Sequence, residues 1–272
     1  MRTKKKVEEV FDQFAKGYST GAFAPSRYDR RAAMRFADDI TWHFIVKYLP
    51  IEKSTLILDA GGGDGYWTQK LVELGYPNII LMDLSQGMLN EAKRRFKTIK
   101  ESHNVEFVKS DITDMKEFES NSFDYIFSQY DAISLCLEPA KAMNELSRVA
   151  RSTAFIVVSL DTKFTRVPDL IQAGLIDEAE DLLKTNISYD FEFPQYNLTW
   201  EELVDYFEQA GLEVIEVVGA PVFMHQVSEE ILEKLEENPQ IRKRLLKIEI
   251  DYCTNRSLVN FAGHLLMVGK KP

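Results

Sequence analysis

Residues 59–65 read Asp-Ala-Gly-Gly-Gly-Asp-Gly, and no other run limits the possible folds as much. Four of the thirteen glycines of the chain lie within these five positions, 61–65. Just before them, residues 54–60 form a short apolar run without alternation, the pattern of a strand buried on both faces. Just after them, residues 64–75 have helical spacing and end on Gly75, a residue suited to a helix C-cap. A glycine-rich turn between a buried strand and a helix is the ligand-facing position of a doubly wound α/β sheet. There the backbone can turn sharply and approach a bound group closely. One or two glycines suffice for a turn alone, so Gly61, Gly62, Gly63 and Gly65 point to a ligand.

The register of the glycines selects among ligands. A dinucleotide fingerprint, Gly-x-Gly-x-x-Gly, fails from Gly61 because Tyr66 takes the third glycine position. It fails from Gly62 because Asp64 takes the second. No Gly-Lys-Ser/Thr follows, so the run is not a Walker loop, and the charge of Asp64 disfavours a pyrophosphate. The spacing is instead Asp-x-Gly-x-Gly-x-Gly, built from Asp59, Gly61, Gly63 and Gly65.

The remaining chain alternates strands and helices. Residues 4–18 have the spacing of an amphipathic helix, with Val7, Val10, Phe11 and Phe14 on one face. Residues 19–29 read as a loop, and 30–50 as a second helix ended by Pro50. Further strands are expected at 78–83, 105–111, 123–130, 153–160, 213–219 and 263–271. Helices are expected at 85–96 with Ser85 as N-cap, at 138–150, and at 199–212 behind a Thr199–Glu202 capping box. This order predicts a mostly parallel sheet with right-handed crossovers. Two segments interrupt it, 161–198 and 219–260, the second with helical runs at 228–237 and 239–252. Both are expected to cap the C-terminal edge of the sheet, where such sheets bind ligands.

Charge and composition exclude several partners. The net charge is −10, yet residues 1–35 hold nine Lys or Arg against four Asp or Glu, so the remainder carries −15. An acidic body argues against nucleic acid. No window approaches the roughly 18 apolar residues of a membrane span, and no apolar stretch follows the basic N-terminus as in a secretory signal. Cys136 and Cys253 lack metal-ligand spacing and read as reduced thiols of a cytoplasmic protein; no metal site is expected.

The glycine run resembles motif I of the class I S-adenosylmethionine (SAM)-dependent methyltransferases, and the resemblance continues in order along residues 54–160, 199–218 and 262–270. It implies a Rossmann-like seven-stranded sheet whose last strand runs antiparallel between the fifth and sixth, with helical cap insertions at 161–198 and 219–260 within a domain spanning 51–272. It implies SAM as cofactor, held by Asp59, Gly61 and Gly63, with Asp83 accepting hydrogen bonds from both ribose hydroxyls. Leu84 and Met88 would flank the adenine, Asp111 would receive its amino group, and Ile112 would pack nearby. The end of the fourth strand, with Gln129 and Tyr130, would face the methionine moiety. Residues 11–18 are similar to a segment of small-molecule and quinone methylating members in which a tyrosine closes over the cofactor, here Tyr18. Residues 1–50 are then a helical segment covering the cofactor site. Arg27, Arg31 and Arg35 are further candidates for the methionine carboxylate.

Methyl transfer from a sulfonium mainly needs alignment and exclusion of water, so the family does not guarantee a fixed catalytic residue. Three residues are candidates, Tyr130 and Asp131 after the fourth strand and His225 as a general base. His43, amid helical apolar residues, is expected in the core, and His264 at the start of the last strand reads as structural. The acidic body and the two cap segments favour an enclosed small-molecule acceptor. Residues 128–131 are Ser-Gln-Tyr-Asp, not the Asn-Pro-Pro-aromatic of relatives that methylate amino groups of nucleic acids and proteins. Phe164, Phe191, Phe193, Tyr196, Phe223 and Met224 could line an apolar pocket or form the cap's own core. A dinucleotide-binding oxidoreductase and a non-catalytic SAM-binding protein are the alternatives at this stage.

Overall fold

The structure is a computed structural model that describes residues 2–18, 31–101, 103–189 and 193–272. Two helices come first, α1 (Arg2–Tyr18) and α2 (Arg31–Lys47). The α/β body then runs β1 (Ile57–Ala60), α3 (Tyr66–Glu73), β2 (Asn78–Asp83), α4 (Gln86–Phe96), β3 (Asn104–Lys109), β4 (Phe123–Ser128), α5 (Ala132–Leu135), α6 (Pro139–Val149) and β5 (Ala150–Asp161). The first interruption holds α7 (Lys163–Gln172), α8 (Ile176–Thr185) and a small hairpin, β6 (Ile187–Ser188) with β7 (Gln195–Tyr196). After α9 (Trp200–Gln209) and β8 (Glu213–Ala220) the second interruption holds a 3₁₀ turn (Met224–Gln226), α10 (Glu229–Glu236), α11 (Pro239–Tyr252) and α12 (Arg256–Val259), before β9 (His264–Lys270).

Seven strands form one sheet in the order β3-β2-β1-β4-β5-β9-β8. The first five pair in parallel, and β9 runs antiparallel to both β5 and β8. The expected topology therefore holds, including the place of the last strand. Period-two alternation explains the unbroken apolar runs. Leu58, Ile126, Ile156 and Val158 face one layer with Met143, Leu146 and Phe207, while Ile57, Tyr125, Phe127 and Val157 face the other with Ile40, Phe44, Trp67 and Leu71. The Tyr125 hydroxyl donates to the Ile45 carbonyl (2.9 Å) and so ties α2 to the sheet.

The helix α1 lies against α4. Asp12 Oδ1 accepts from Ser85 Oγ (2.6 Å) and Gly87 N (2.7 Å), and a Cβ at Gly87 would meet the Asp12 backbone at 2.9 Å. Lys4 reaches Asp111 just beyond β3 (2.9 Å). These contacts lay α1 along the strand ends. The two interruptions do different things. Residues 161–175 sit at the end of β5, whereas α10 and α11 mostly pack on α2, through Arg242 with Asp39 and Glu236 and through Leu246 and Ile250. Among the described residues, no helix is long and apolar enough to cross a membrane.

The middle antiparallel strand depends on one bare position. A Cβ on Gly269 of β9 would lie 2.5 Å from the buried Phe207 ring of α9. Gly269→Ala is expected to lower the unfolding free energy by about 1–3 kcal/mol in urea titration, the scale of core overpacking. Adding Phe207→Leu should make the alanine less costly than it is beside phenylalanine.

Candidate active site

The turn after β1 is clamped to the end of β2 by three successive amides. Gly61 N and Gly62 N both donate to the Met82 carbonyl (2.9 Å each), and Gly63 N donates to Asp83 Oδ2 (2.9 Å). The glycines then divide their work. A Cβ on Gly62 would sit 2.8 Å from the Asp59 carboxyl carbon and 2.6 Å from Leu81, so this residue serves close packing. Gly63 has φ +54° and nothing within 4 Å of a built Cβ, so it presents bare backbone to open space. Asp64 is turned into structure by an ion pair with Arg95.

Two carboxyls anchor this turn. Asp59 is buried and accepts from Thr68 Oγ1 (2.6 Å). Burial pushes its pKa up to about 7, against the Thr68 hydrogen bond and with help from nearby Asp83 and Asp64. Asp83 also accepts from Ser85 N (2.8 Å). Burial pushes its pKa up to about 6, opposed by the Ser85 and Gly63 amides and raised further by Asp12.

A cleft opens over these groups. Its floor is Gly61, Gly63 and Asp83; one wall is Leu84, Met88 and Ile112, and α1 contributes Lys4, Val7 and Phe11. Asp111 lies in the same cleft. Its Oδ1 accepts from Thr113 N and Oγ1 (2.8 Å each), and its Oδ2 accepts from Lys4. Burial works against its ionisation, but the Thr113 amide and the Lys4 ammonium outweigh burial and hold its pKa below the ordinary value. A side cleft around Gly62, Asp59, Trp67 and Gln129 adjoins the first through Gly61, Gly63 and Tyr130. Tyr18 closes α1, and its side chain lies outside the described residues, as do Arg27 and the Arg31 side chain. Arg35 is not at these clefts; it pairs with Glu236.

Beyond β4 the chain is strained. Tyr130 (φ 53°) and Asp131 (φ 73°) are consecutive non-glycine residues in the left-handed region. The Tyr130 hydroxyl donates to Asp38, its amide to Ser159 Oγ (2.9 Å), and its ring stacks on Trp67 at 5.9 Å. This turn aims its residues in opposite directions. Tyr130 and Ala132 line the first cleft, while Asp131 lines a separate cavity of about 540 Å³. That cavity has a mixed lining with several charged groups. It gathers Asp161 and Thr162 from the end of β5, Thr165, Arg166 and Asp169 from α7, His225 from the 3₁₀ turn and His264 from β9, with Ala33 and Met34 of α2 opposite.

Several expectations are corrected here. Of the six aromatic and apolar residues singled out in the interruptions, which could line a pocket or form the cap's own core, the five described ones do not line this cavity. Phe164 stacks on Phe261 at 5.7 Å, Phe193 packs with Val7 and Leu135, and Phe223 and Met224 pack with α2; Phe191 lies outside the described residues. His43 is exposed rather than in the core, because the buried row of α2 runs through Phe36, Ile40 and Phe44 and leaves position 43 outside it. His264 stands on the cavity wall. Register explains this, since β9 places His264 directly opposite Asp161.

One positioning group was missed. Glu249 is fully buried in α11, and its carboxylate accepts from the amides of Val222 (2.7 Å), Phe223 (2.9 Å) and Met224 (2.7 Å). It thereby holds the turn that carries His225. Burial raises its pKa, and the three amides pull the other way. A signal existed, because Glu249 shares the helical face of Leu246, Ile250 and Cys253.

A methyltransferase-domain family profile matches residues 57–153, the stretch from β1 into β5 that carries the glycine turn, Asp83, Asp111 and Tyr130. Residues 57–153 are a methyltransferase domain, and the chain is a methyltransferase. Its cofactor is SAM. Over its whole length this methyltransferase resembles the tRNA 5-carboxymethoxyuridine methyltransferase of Escherichia coli K12, at 21% identity over 96% of each chain. In fold it is similar to a chain from the complex of the Haloferax volcanii Trm112 methyltransferase activator with a methyltransferase (TM-score 0.62, 17% identity, 96% of this chain and 97% of the other). It is similar as well to a SAM-dependent methyltransferase of Thermotoga maritima described as a possible histamine N-methyltransferase (TM-score 0.59, 16% identity, 97% and 99%).

Removing the Glu249 side chain would leave three buried amides without an acceptor. Glu249→Ala is expected to destabilise the methyltransferase by roughly 3 kcal/mol or more in urea unfolding. Glu249→Gln, which keeps one acceptor oxygen, should cost less.

Proposed function

We propose that the cleft over the glycine turn holds SAM and that the 540 Å³ cavity beyond Asp131 holds a small-molecule methyl acceptor. The observation that carries this reading is the turn Tyr130–Asp131–Ala132, which is a shared wall between the two spaces. The cavity falls within the 300–1,000 Å³ range usual for small-ligand sites. In this reading residues 1–50 cover the cofactor through α1. Within the segments 161–198 and 219–260, the residues near Asp161 and His225 enclose the acceptor.

The residues of the cleft fit the cofactor. Gly63 leaves space where a side chain would stand, and Gln129 Oε1 is buried with no hydrogen-bond partner among the described residues. Bound there, SAM supplies a methyl group on a sulfonium centre open to in-line displacement. Asp83 accepts from the ribose hydroxyls. Val7, Phe11, Leu84, Met88 and Ile112 form an apolar slot for a flat base. Asp111 Oδ2, already bound to Lys4, has a second lone pair for an amino group. Asp59 holds the turn through Thr68, and Gln129 and Tyr130 border the methionine side. The protein's contribution is alignment and a dry passage between two bound molecules. His225 and Asp131 face the acceptor side.

The E. coli relative, named for a tRNA, favours a second reading in which the acceptor is a nucleoside of tRNA. The net charge of −10 weighs against it, because phosphate binding requires a basic surface. Labelled SAM offered with total tRNA and with a small-molecule fraction separates the two. Label in the small molecules supports the proposal, and label confined to tRNA overturns it.

Two predictions concern the cofactor. Asp83→Ala should weaken SAM binding by about 1.5–3 kcal/mol in calorimetry while the protein stays folded. The pH dependence follows from the raised pKa of Asp83, about 6. A carboxylate accepts from two hydroxyls only when ionised, so affinity is complete well above that value and is lost as pH falls through it. SAM affinity should be level between pH 7.5 and 8.5 and fall by up to tenfold per unit below about pH 6.

A further inference from the structure

A side cleft of about 270 Å³ opens beside the glycine turn, walled by Met34 and Asp38 of α2, by Tyr66 and Trp67 of α3, and by Gln129 and Tyr130 after β4. Two of these residues carry an oxygen without a donor among the described residues. Gln129 is 4% exposed, and its Nε2 donates to the Val157 carbonyl (2.8 Å), which leaves Oε1 as the end with no hydrogen-bond partner. A buried amide oxygen without a donor is destabilising, and a bound donor removes that penalty. Asp38 carries the other oxygen. Its Oδ1 accepts from the Tyr130 hydroxyl, and among the described residues no hydrogen bond reaches Oδ2. Burial raises the Asp38 pKa, the Tyr130 hydroxyl and the Lys70 ammonium oppose the rise, and Asp39 adds to it. The remaining charges of the cleft are engaged elsewhere. Asp64 pairs with Arg95, whose three guanidinium nitrogens donate to Asp64 and Gln69. Asp59 accepts from Thr68, and with a pKa of about 7 it is a weaker anion at neutral pH. Lys70 sits over the Trp42 ring at 4.2 Å. Asp38 also lies outside the matched domain, residues 57–153.

On the reading that SAM lies over the glycine turn, we propose that the side cleft takes the amino-acid end of the cofactor and that Asp38 and Gln129 Oε1 hold its α-ammonium. An ammonium has three N–H donors and meets both oxygens at once. Its charge makes the hydrogen bond to the Asp38 carboxylate a strong one, and a buried carboxylate gains more from a cation than from a neutral donor. With the Gln129 nitrogen turned to Val157, both groups present acceptors only, so a ligand carboxylate or phosphate is disfavoured there. Asp38 thereby makes the protein select a ligand with a cation at this end. It is a positioning residue as well. Through the Tyr130 hydroxyl it holds a left-handed residue (φ 53°) of the turn between the two spaces, so the group that reads the ammonium also steadies that wall.

Calorimetry with three ligands tests this. S-adenosylhomocysteine carries the α-ammonium, its deaminated analogue has hydrogen in that place, and methylthioadenosine lacks the whole amino-acid end. The parent protein should bind the deaminated analogue about tenfold or more weakly than S-adenosylhomocysteine, and equal affinity would overturn the ammonium site whatever any variant does. Asp38→Asn keeps the size and an acceptor oxygen but removes the charge. It should weaken S-adenosylhomocysteine by about tenfold or more and leave methylthioadenosine within about twofold of the parent. An equal loss for both ligands shows that Asp38 acts on the fold alone, and no loss for either shows that it does not meet the ammonium; each overturns its assignment. Tyr130→Phe removes the hydroxyl and leaves the carboxylate, so the preference for S-adenosylhomocysteine over the deaminated analogue should persist. Its disappearance would show that Asp38 acts only through Tyr130 and would overturn the direct contact. If neither S-adenosylhomocysteine nor methylthioadenosine binds the parent at high micromolar concentration, the reading that SAM occupies the cleft falls, and the ammonium site with it.

Discussion

Three consecutive amides donating to two adjacent residues organise this protein. Gly61 and Gly62 converge on the Met82 carbonyl, and Gly63 turns to the Asp83 carboxylate. The clamp extends the β1–β2 pairing past the last strand residues and swings the chain away from β4. It can form only if position 62 carries no side chain, since a Cβ there would strike Asp59 and Leu81. The same geometry leaves Gly63 bare beside open space and sets the height of Asp83 in the cleft. Both are consequences of backbone hydrogen bonding, and the floor of the cleft is therefore set chiefly by main chain.

The other half of the site has the opposite construction. The cavity beyond Asp131 is lined by side chains from β5, α7, the 3₁₀ turn and β9, most of them polar and several charged. Buried polar contacts hold its walls in place. Glu249 accepts three amides of the turn bearing His225, and Gln195 donates to Asp161. Burial raises the pKa of Glu249 here, as it raises those of Asp59 and Asp83 under the glycine turn, while all three remain hydrogen-bonded. The left-handed pair Tyr130–Asp131 is the join between the two constructions, with one residue turned to each side.

The sheet was legible because its strands are short apolar runs punctuated by glycines and acids. β2, from Asn78 to Asp83, lies where the apolar run does, and the Ser85 cap and the Thr199–Glu202 capping box both form. The cleft over the glycine turn was legible for the same reason, since Asp83 ends β2 and Asp111 follows β3 closely, and both line it. The cavity beyond Asp131 was not. α7 carries an internal proline, Pro168, which reads as a break in the helical pattern. His264 and Asp161 are 103 positions apart and meet only through the antiparallel register of β9 on β5. Glu249 shares the apolar face of its helix with Leu246, Ile250 and Cys253, but only tertiary contact shows which amides it meets. Long-range pairing of this kind leaves no spacing in the sequence to read.

A crystal structure of the protein with S-adenosylhomocysteine is the most direct measurement of the account. The ribose hydroxyls should lie on the Asp83 carboxylate, the adenine between α1 and the Leu84–Met88 wall, and the sulfur toward the Tyr130–Ala132 turn, facing the cavity beyond Asp131. A ligand seated elsewhere, or a sulfur turned away from that cavity, would contradict it.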